Sequence, residues 1–355
     1  MGRPGLDAPP GPRIPDPANG GRTVVFGYHT MGCLGLAALL RHGFDVVGVL
    51  THRDSPHEKV WWPSLAEAAA RRGIPVHTPE DPRAPEVALL VDALRPDFVF
   101  SFYYRHMIPP RVLALAPRGA LNLHGSLLPR YRGRAPVNWV LVNGESETGV
   151  SLHHMVAKPD AGDLVDRESV EIALDDTAYT LFRKLEPAAE KLLDRALPRL
   201  LAGTAARMPL DLATGSYFGG RTPADGRIDW SWPAARVYNL VRAVTHPYPG
   251  AFTEWGGRSL LIWWALPLPL DHAAVPGAVL AVDREGVLVA AGTDALRLVT
   301  VQLQGEPELP ATSWARMVGL QSGAVLGKMT GDREQGTAPA GQPRSPASGL
   351  QPEDH

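Results

Sequence analysis

From Thr23 to Gly125, short β-branched or aromatic runs alternate with amphipathic helical stretches, and this constrains the fold more than any other feature. "TVVFGYH" (23–29) precedes the helical pattern "CLGLAALLRHG" (33–43), and "FDVVGVLTH" (44–52) precedes a helix expected around 61–72. "IPVHT" (74–78), a helix over 85–94, "PDFVFSFYY" (96–104) and "GALNLHG" (119–125) continue the series. Strands separated by helices need crossover connections, which give a mostly parallel sheet covered on both faces. The expectation is a doubly wound α/β domain over 23–205. "TGVSLHHMV", "DLVDRESVEI" and a helix with Leu181, Leu185, Leu192, Ala196 and Leu200 on one stripe close that domain.

Beyond this helix the alternation stops. Residues 206–222 read as a linker. From 223 to 320 a helix around 233–245 and the runs "LLIWWA", "GAVLAV", "GVLVAAG" and "LRLVTVQL" predict a smaller β-rich domain, expected to be barrel-like, with a helix near 312–319. A chain of 355 residues with 45% hydrophobic side chains is large enough for two such cores. Residues 1–22, with six prolines and no apolar segment, are expected to be a disordered extension, neither a secretory signal nor a membrane span. Residues 330–355, rich in Gly, Pro, Ser and Gln, are expected to be a disordered tail.

The formal charge of −2 provides no general attraction to nucleic acid or to an acidic membrane. Cys33 is the single cysteine, which excludes an intramolecular disulfide, and no Cys/His spacing matches a zinc site. A cytoplasmic protein without a metal is expected.

In an open α/β sheet, ligands bind outside the carboxyl ends of the strands, and three polar segments fall there. "GYHTMG" (27–32) is either a tight turn or a backbone approach to phosphate; it matches neither the dinucleotide fingerprint nor a P-loop. "SFYYRHMIP" (101–109) either walls a pocket for a flat heterocycle or caps the core. The third is "NLHGSLLPRYRGRAP" (122–136). On a strand, Asn122 and His124 share a face. An amide there can donate to a developing oxyanion, and an imidazole can move a proton near neutral pH. Alone, the pair reads more readily as a turn amide and a hydrogen-bonded core histidine. The Pro- and Gly-rich loop that follows brings Arg130, Arg132 and Arg134, suited to phosphate or carboxylate. A fourth segment, "MVAKPDAGDLV" (155–165), reads as a turn, or as the source of a carboxylate partner for His124.

Together, "NLHGSLLPRYRGRAP" and the "DAGD" that begins 38 residues after Asn122 resemble the folate-dependent formyltransferase family. The resemblance runs from about Thr23 to Leu320 and includes "RTPADG" and "HPYPGAF". It implies a Rossmann-like catalytic domain and formyl transfer from 10-formyltetrahydrofolate to an amine, without metal or covalent enzyme intermediate. It implies that Asn122 and His124 stabilise the tetrahedral oxyanion, that His124 carries the proton, and that Asp160 orients His124 and raises its pKa. His106, Met107, Ile108, Arg134, Val156, Ala157, Lys158, Pro159 and Asp160 match positions lining the folate site. Within the family the chain is most similar to enzymes acting on UDP-4-amino-4-deoxy-L-arabinose. No dinucleotide motif follows, so oxidation of a nucleotide sugar is not expected in this chain and a separate protein would supply the amine.

The rival acceptor is methionyl-tRNA. A tRNA-binding domain should be basic, whereas residues 223–320 carry seven Arg, no Lys and nine Asp plus Glu, a net of 7 − 9 = −2. Six of the nine tryptophans lie there, suited to stacking on bases or to core and sugar-facing roles. A small-molecule nucleotide sugar is therefore the expected partner rather than nucleic acid, and a non-catalytic module would not need Asn122, His124 and Asp160 together. The sequence carries no reading of oligomeric state.

Overall fold

The computed structural model describes residues 21–55 and 60–327, so the two expected disordered termini lie almost wholly outside the described residues. Arg22, assigned to the extension, already opens the first strand, β1 (Arg22–Gly27). The chain continues through α1 (His29–Arg41), β2 (Asp45–Leu50), α2 (Leu65–Ala70), β3 (Val76–His77), α3 (Pro85–Leu94), β4 (Phe98–Phe102), α4 (Pro110–Leu113) and β5 (Gly119–His124). Then come β6 (Arg132–Gly133), α5 (Pro136–Val142), β7 (Glu147–His154), β8 (Leu164–Glu171), α6 (Ala178–Leu201) and β9 (Tyr217–Phe218).

The main sheet has seven strands in the order β3-β2-β1-β4-β5-β7-β8. The first five are parallel, and β7 and β8 are added antiparallel. The chain winds one way from β1 to β3 and then crosses back to β4, so the switch point lies between the carboxyl ends of β1 and β4. One face is covered by α1 and α6 through Met31, Leu36, Leu39, Leu181, Leu185 and Leu192. The other is covered by α3 and α4 through Val87, Val91 and Val112. The periodic leucines of α6 are buried as their spacing requires, and Thr177 and Thr180 form a capping box at its start.

"GYHTMG" spans the β1–α1 junction: Tyr28 alone separates Gly27 from His29, where α1 starts. Its glycines serve packing. A Cβ on Gly27 or Gly32 would press on Leu65 Cδ2 at 2.8 or 3.0 Å. The helix expected around 61–72 is confined to α2, which Ser64 caps by accepting from the Glu67 N–H.

The carboxyl-terminal part comprises α7 (Ala234–Val244), β10 (Ala251–Trp255), β11 (Arg258–Leu268), β12 (Val279–Val282), β13 (Val287–Ala290), β14 (Ala295–Leu303), β15 (Glu308–Pro310) and α8 (Ala311–Met317). Its six strands form one antiparallel sheet, β10-β11-β14-β13-β12, with β15 on β14. Trp230, Trp263 and Trp314 are buried, while Trp232, Trp255 and Trp264 pack partly buried against the core, so these tryptophans serve packing. The residues expected to form a linker contribute β9, which pairs with β6 in the loop after β5.

Candidate active site

Asn122 and His124 are delivered by the carboxyl end of β5, on one side of the strand. Register places Ser101 of β4 beside Asn122 and, from antiparallel β7, His153 opposite it. Asp160 arrives from the β7–β8 loop in a left-handed conformation, φ 48°. Its carboxylate is the hub. Oδ2 accepts the Gly133 N–H at 2.8 Å and lies 3.7 Å from His124 Nδ1. Oδ1 accepts from Asn122 Nδ2 at 3.3 Å and lies 3.4 Å from His153 Nε2. Burial alone would raise the Asp160 pKa, but facing His124, His153 and the Gly133 N–H outweigh it and hold the carboxyl well below its usual range.

The rings are oriented chiefly by carbonyls. His124 Nε2 donates to the Tyr131 carbonyl at 2.8 Å. A carbonyl only accepts, so in the neutral ring the proton sits on Nε2, and Nδ1, facing Asp160, is the basic atom. Asp160, expected to orient His124, lies 3.7 Å from Nδ1, a distance at which it provides charge rather than a direct hydrogen bond. His153 Nδ1 donates to its neighbour's carbonyl, His154 O, at 2.8 Å, leaving Nε2 3.1 Å from Asn122 Nδ2.

The loop that carries Tyr131 is held under strain. Tyr131, Gly133 and Ala135 all have positive φ, at 58°, 101° and 51°. Each such non-glycine residue costs on the order of 1–3 kcal/mol and persists only where its surroundings over-determine it. Here β9 does so: Arg132 and Arg134 N–H donate to Ser216 and Phe218 carbonyls, and Phe218 stacks between Tyr131 and Trp139. Arg130 is a loop anchor, paired with Glu145, which also accepts the Tyr131 hydroxyl at 2.6 Å. Arg132 is buried. Arg134 is exposed at the mouth of the site, and its guanidinium has no polar partner among the described residues.

These groups open into a cavity of about 470 Å³. Of the expected residues, Asn122, His124, His106, Met107, Ile108, Arg134, Val156, Pro159 and Asp160 line it. Ala157 and Lys158 do not; they are exposed at the turn of the β7–β8 loop. The sequence reading missed His153, Gly133, Met155 and Tyr217 as wall residues. His153 follows from the alternation of β7 once its antiparallel register on β5 is known. Tyr103, Tyr104 and Arg105 also line the cavity, in keeping with the pocket-wall reading of "SFYYRHMIP". Among the described residues, no group of three His, Cys, Asp or Glu side chains is arranged to hold a metal ion.

Residues 33–197 match the family described as formyl transferase, and residues 221–319 match the formyl transferase C-terminal domain. The chain belongs to the formyl transferase family. Among solved structures it is similar to an N-formyltransferase from Helicobacter canadensis in complex with folinic acid and dTDP-3-aminofucose, at 18% identity and TM-score 0.59, over 78% of this chain and 98% of that one. It is also similar to WlaRD, a sugar 3N-formyl transferase crystallised with dTDP and 5-N-formyl-THF (16% identity, TM-score 0.57, 81% of this chain and 99% of that one). HypX from Aquifex aeolicus in complex with tetrahydrofolic acid matches at 19% identity and TM-score 0.54, over 83% of this chain and 46% of that one. The chain thus spans about half the length of HypX. At these identities the likeness is one of fold. Among the described residues, no helix is long and apolar enough to cross a membrane.

Proposed function

We propose that this chain transfers the formyl group of 10-formyltetrahydrofolate to the amine of a nucleotide-linked 4-amino sugar. The observation that carries the reading is the convergence on Asp160 of an amide donor, Asn122, and an imidazole, His124, whose Nδ1 faces that carboxylate at the edge of the cavity both residues line. Ile108, Leu113 and Met155 offer an apolar wall for a flat heterocycle beside that centre. Exposed Arg134 suits a carboxylate of the folate tail.

In the reaction, the amine nitrogen attacks the formyl carbon. The tetrahedral oxyanion is held by the Asn122 amide and by protonated His124. His124 Nδ1 takes the proton lost by the amine and returns it to N10 of the folate as the carbon–N10 bond breaks, giving formamide and tetrahydrofolate. Ionised Asp160 stabilises the imidazolium between the two transfers. Every atom and proton is then accounted for without a metal.

The acceptor we favour is UDP-4-amino-4-deoxy-L-arabinose, the substrate of the formyltransferase half of ArnA, whose motifs "SFYYRHMIP", "RTPADG" and "HPYPGAF" resemble. The acidic balance of 223–320 and the core role of its tryptophans oppose a tRNA acceptor. The setting proposed is cytoplasmic. The test is turnover with 10-formyltetrahydrofolate against UDP- and dTDP-linked 4-amino sugars and charged initiator methionyl-tRNA. A good sugar substrate and no tRNA formylation are expected; efficient tRNA formylation would overturn the reading.

A further inference from the structure

Tyr103 and Tyr104 are consecutive, yet they pack on opposite faces of the main sheet. Tyr104 lies edge-on to Phe26 at 5.2 Å and stacks on His52 at 4.2 Å, on the face shared with Ile108, Leu113 and Met155. Tyr103 packs near Phe182 of α6 on the other face, its rings' centroids 5.9 Å apart. The left-handed backbone of Tyr103, φ 57°, makes this divergence possible and is itself strained. Both rings line the cavity: the Tyr104 wall, whose hydroxyl is also buried without a partner among the described residues, carries Ile108, Leu113 and Met155 and suits the folate heterocycle, which leaves the Tyr103 side for an acceptor.

The Tyr103 hydroxyl is buried and, among the described residues, has no hydrogen-bond partner. Such a group is costly in a folded protein unless a partner arrives with a ligand. Its position is suited to one. A Cβ on Gly125, the residue after His124, would collide with this oxygen, so bare Gly125 is what lets the hydroxyl reach the reaction centre. Burial, with the Tyr248 phenol nearby, pushes the Tyr103 pKa well up, so it remains a donor at every working pH.

We propose that the Tyr103 hydroxyl donates a hydrogen bond to the acceptor-sugar oxygen next to the reacting amine, making Tyr103 a specificity-determining residue for hydroxylated amino sugars. The inference rests on the nucleotide-sugar reading above. Removing only this oxygen leaves the sugar hydroxyl without its donor, which is worth roughly a tenfold change in affinity.

The test pairs Tyr103→Phe with two acceptors, UDP-4-amino-4-deoxy-L-arabinose and its analogue lacking the hydroxyl beside the amine. With the parent sugar the variant should show an acceptor KM raised about tenfold, while the KM for 10-formyltetrahydrofolate stays within about twofold. The analogue should be used equally by both proteins. An unchanged acceptor KM overturns the inference, as does an equal loss on both acceptors, which is what a packing defect produces. If the unsubstituted protein formylates no nucleotide amino sugar, the functional reading falls and this inference with it. If it does and Tyr103→Phe behaves identically, only this inference falls.

Discussion

His124 is tied to a carbonyl through Nε2, which leaves Nδ1 as the single atom able to exchange a proton. Asn122→Ala, His124→Ala and Asp160→Ala should each slow formyl transfer by about a hundredfold or more in a folded protein, as expected for oxyanion and acid–base groups. Near wild-type turnover in a folded variant would remove that residue from the mechanism. Acid titration gives a second check. The folded pKa of Asp160 lies below its unfolded value of about 4. Its stabilisation is therefore complete above about pH 4 and lost as the pH falls through the folded value. The Tm difference between the wild type and Asp160→Asn should shrink as the pH falls below about 4. His29, enclosed by Trp61, Trp62 and Phe182, has its pKa pushed down by burial to about 3. Stability linked to neutral His29 is full above its unfolded value near 6.5 and drains as the pH falls towards 3. His29→Asn, which tolerates the positive φ of 66°, should flatten Tm against pH over that window; an unaltered slope would refute the assignment. Asn122 and His124 were legible because period-two alternation alone puts them on one face. His153 was not, since its place depends on a register between strands that no local pattern encodes.

Among the elements, the β6–β9 pair is the least visible in the sequence and the most consequential for the site. Two-residue strands are too short for any periodicity, so 206–222 read as a linker although it clamps the strained loop that orients His124. The long elements were legible for the opposite reason: the burial stripe of α6 and the alternation of β14 repeat often enough to be read without partners. Gly133 concentrates the argument. Its φ of 101° disfavours any side chain, a Cβ would collide with the Phe218 carbonyl, and its N–H holds Asp160. Gly133→Ala should cost about 1–3 kcal/mol in stability and reduce turnover at least about tenfold, through displacement of Asp160. Denaturant titration with parallel kinetics decides this. Unchanged activity in the variant would mean that the carboxylate does not depend on the β6–β9 clamp.

At the scale of the whole molecule, the amino-terminal and carboxyl-terminal parts share a continuous core, in which Leu181 and Leu185 of α6 belong with Val237, Leu260 and Ile262. The polar ties across this junction centre on α7. Arg242 is 4% exposed, and its guanidinium donates to the carbonyls of Ala173 and Asp176 at 3.1 and 3.4 Å and to Asn239 Oδ1 at 2.9 Å. The Tyr238 hydroxyl donates to the Leu174 carbonyl at 2.8 Å, and Asn138 of α5 donates to the Ala243 carbonyl at 2.7 Å. A buried arginine satisfied mainly by backbone carbonyls is a bond between chain segments, and replacing it leaves those carbonyls unpaired. Arg242→Met, which keeps most of the side-chain volume, should therefore destabilise by about 3 kcal/mol, from the loss of charge-assisted hydrogen bonds. It should also split into two the single calorimetric transition expected of the parent protein from its continuous core. The same α7 leads into Tyr248, whose phenol lies near enough to Tyr103 to act on it electrostatically, so the variant should raise the acceptor KM more than the folate KM even below its first transition. A single unshifted transition would show that the apolar core alone couples the two parts.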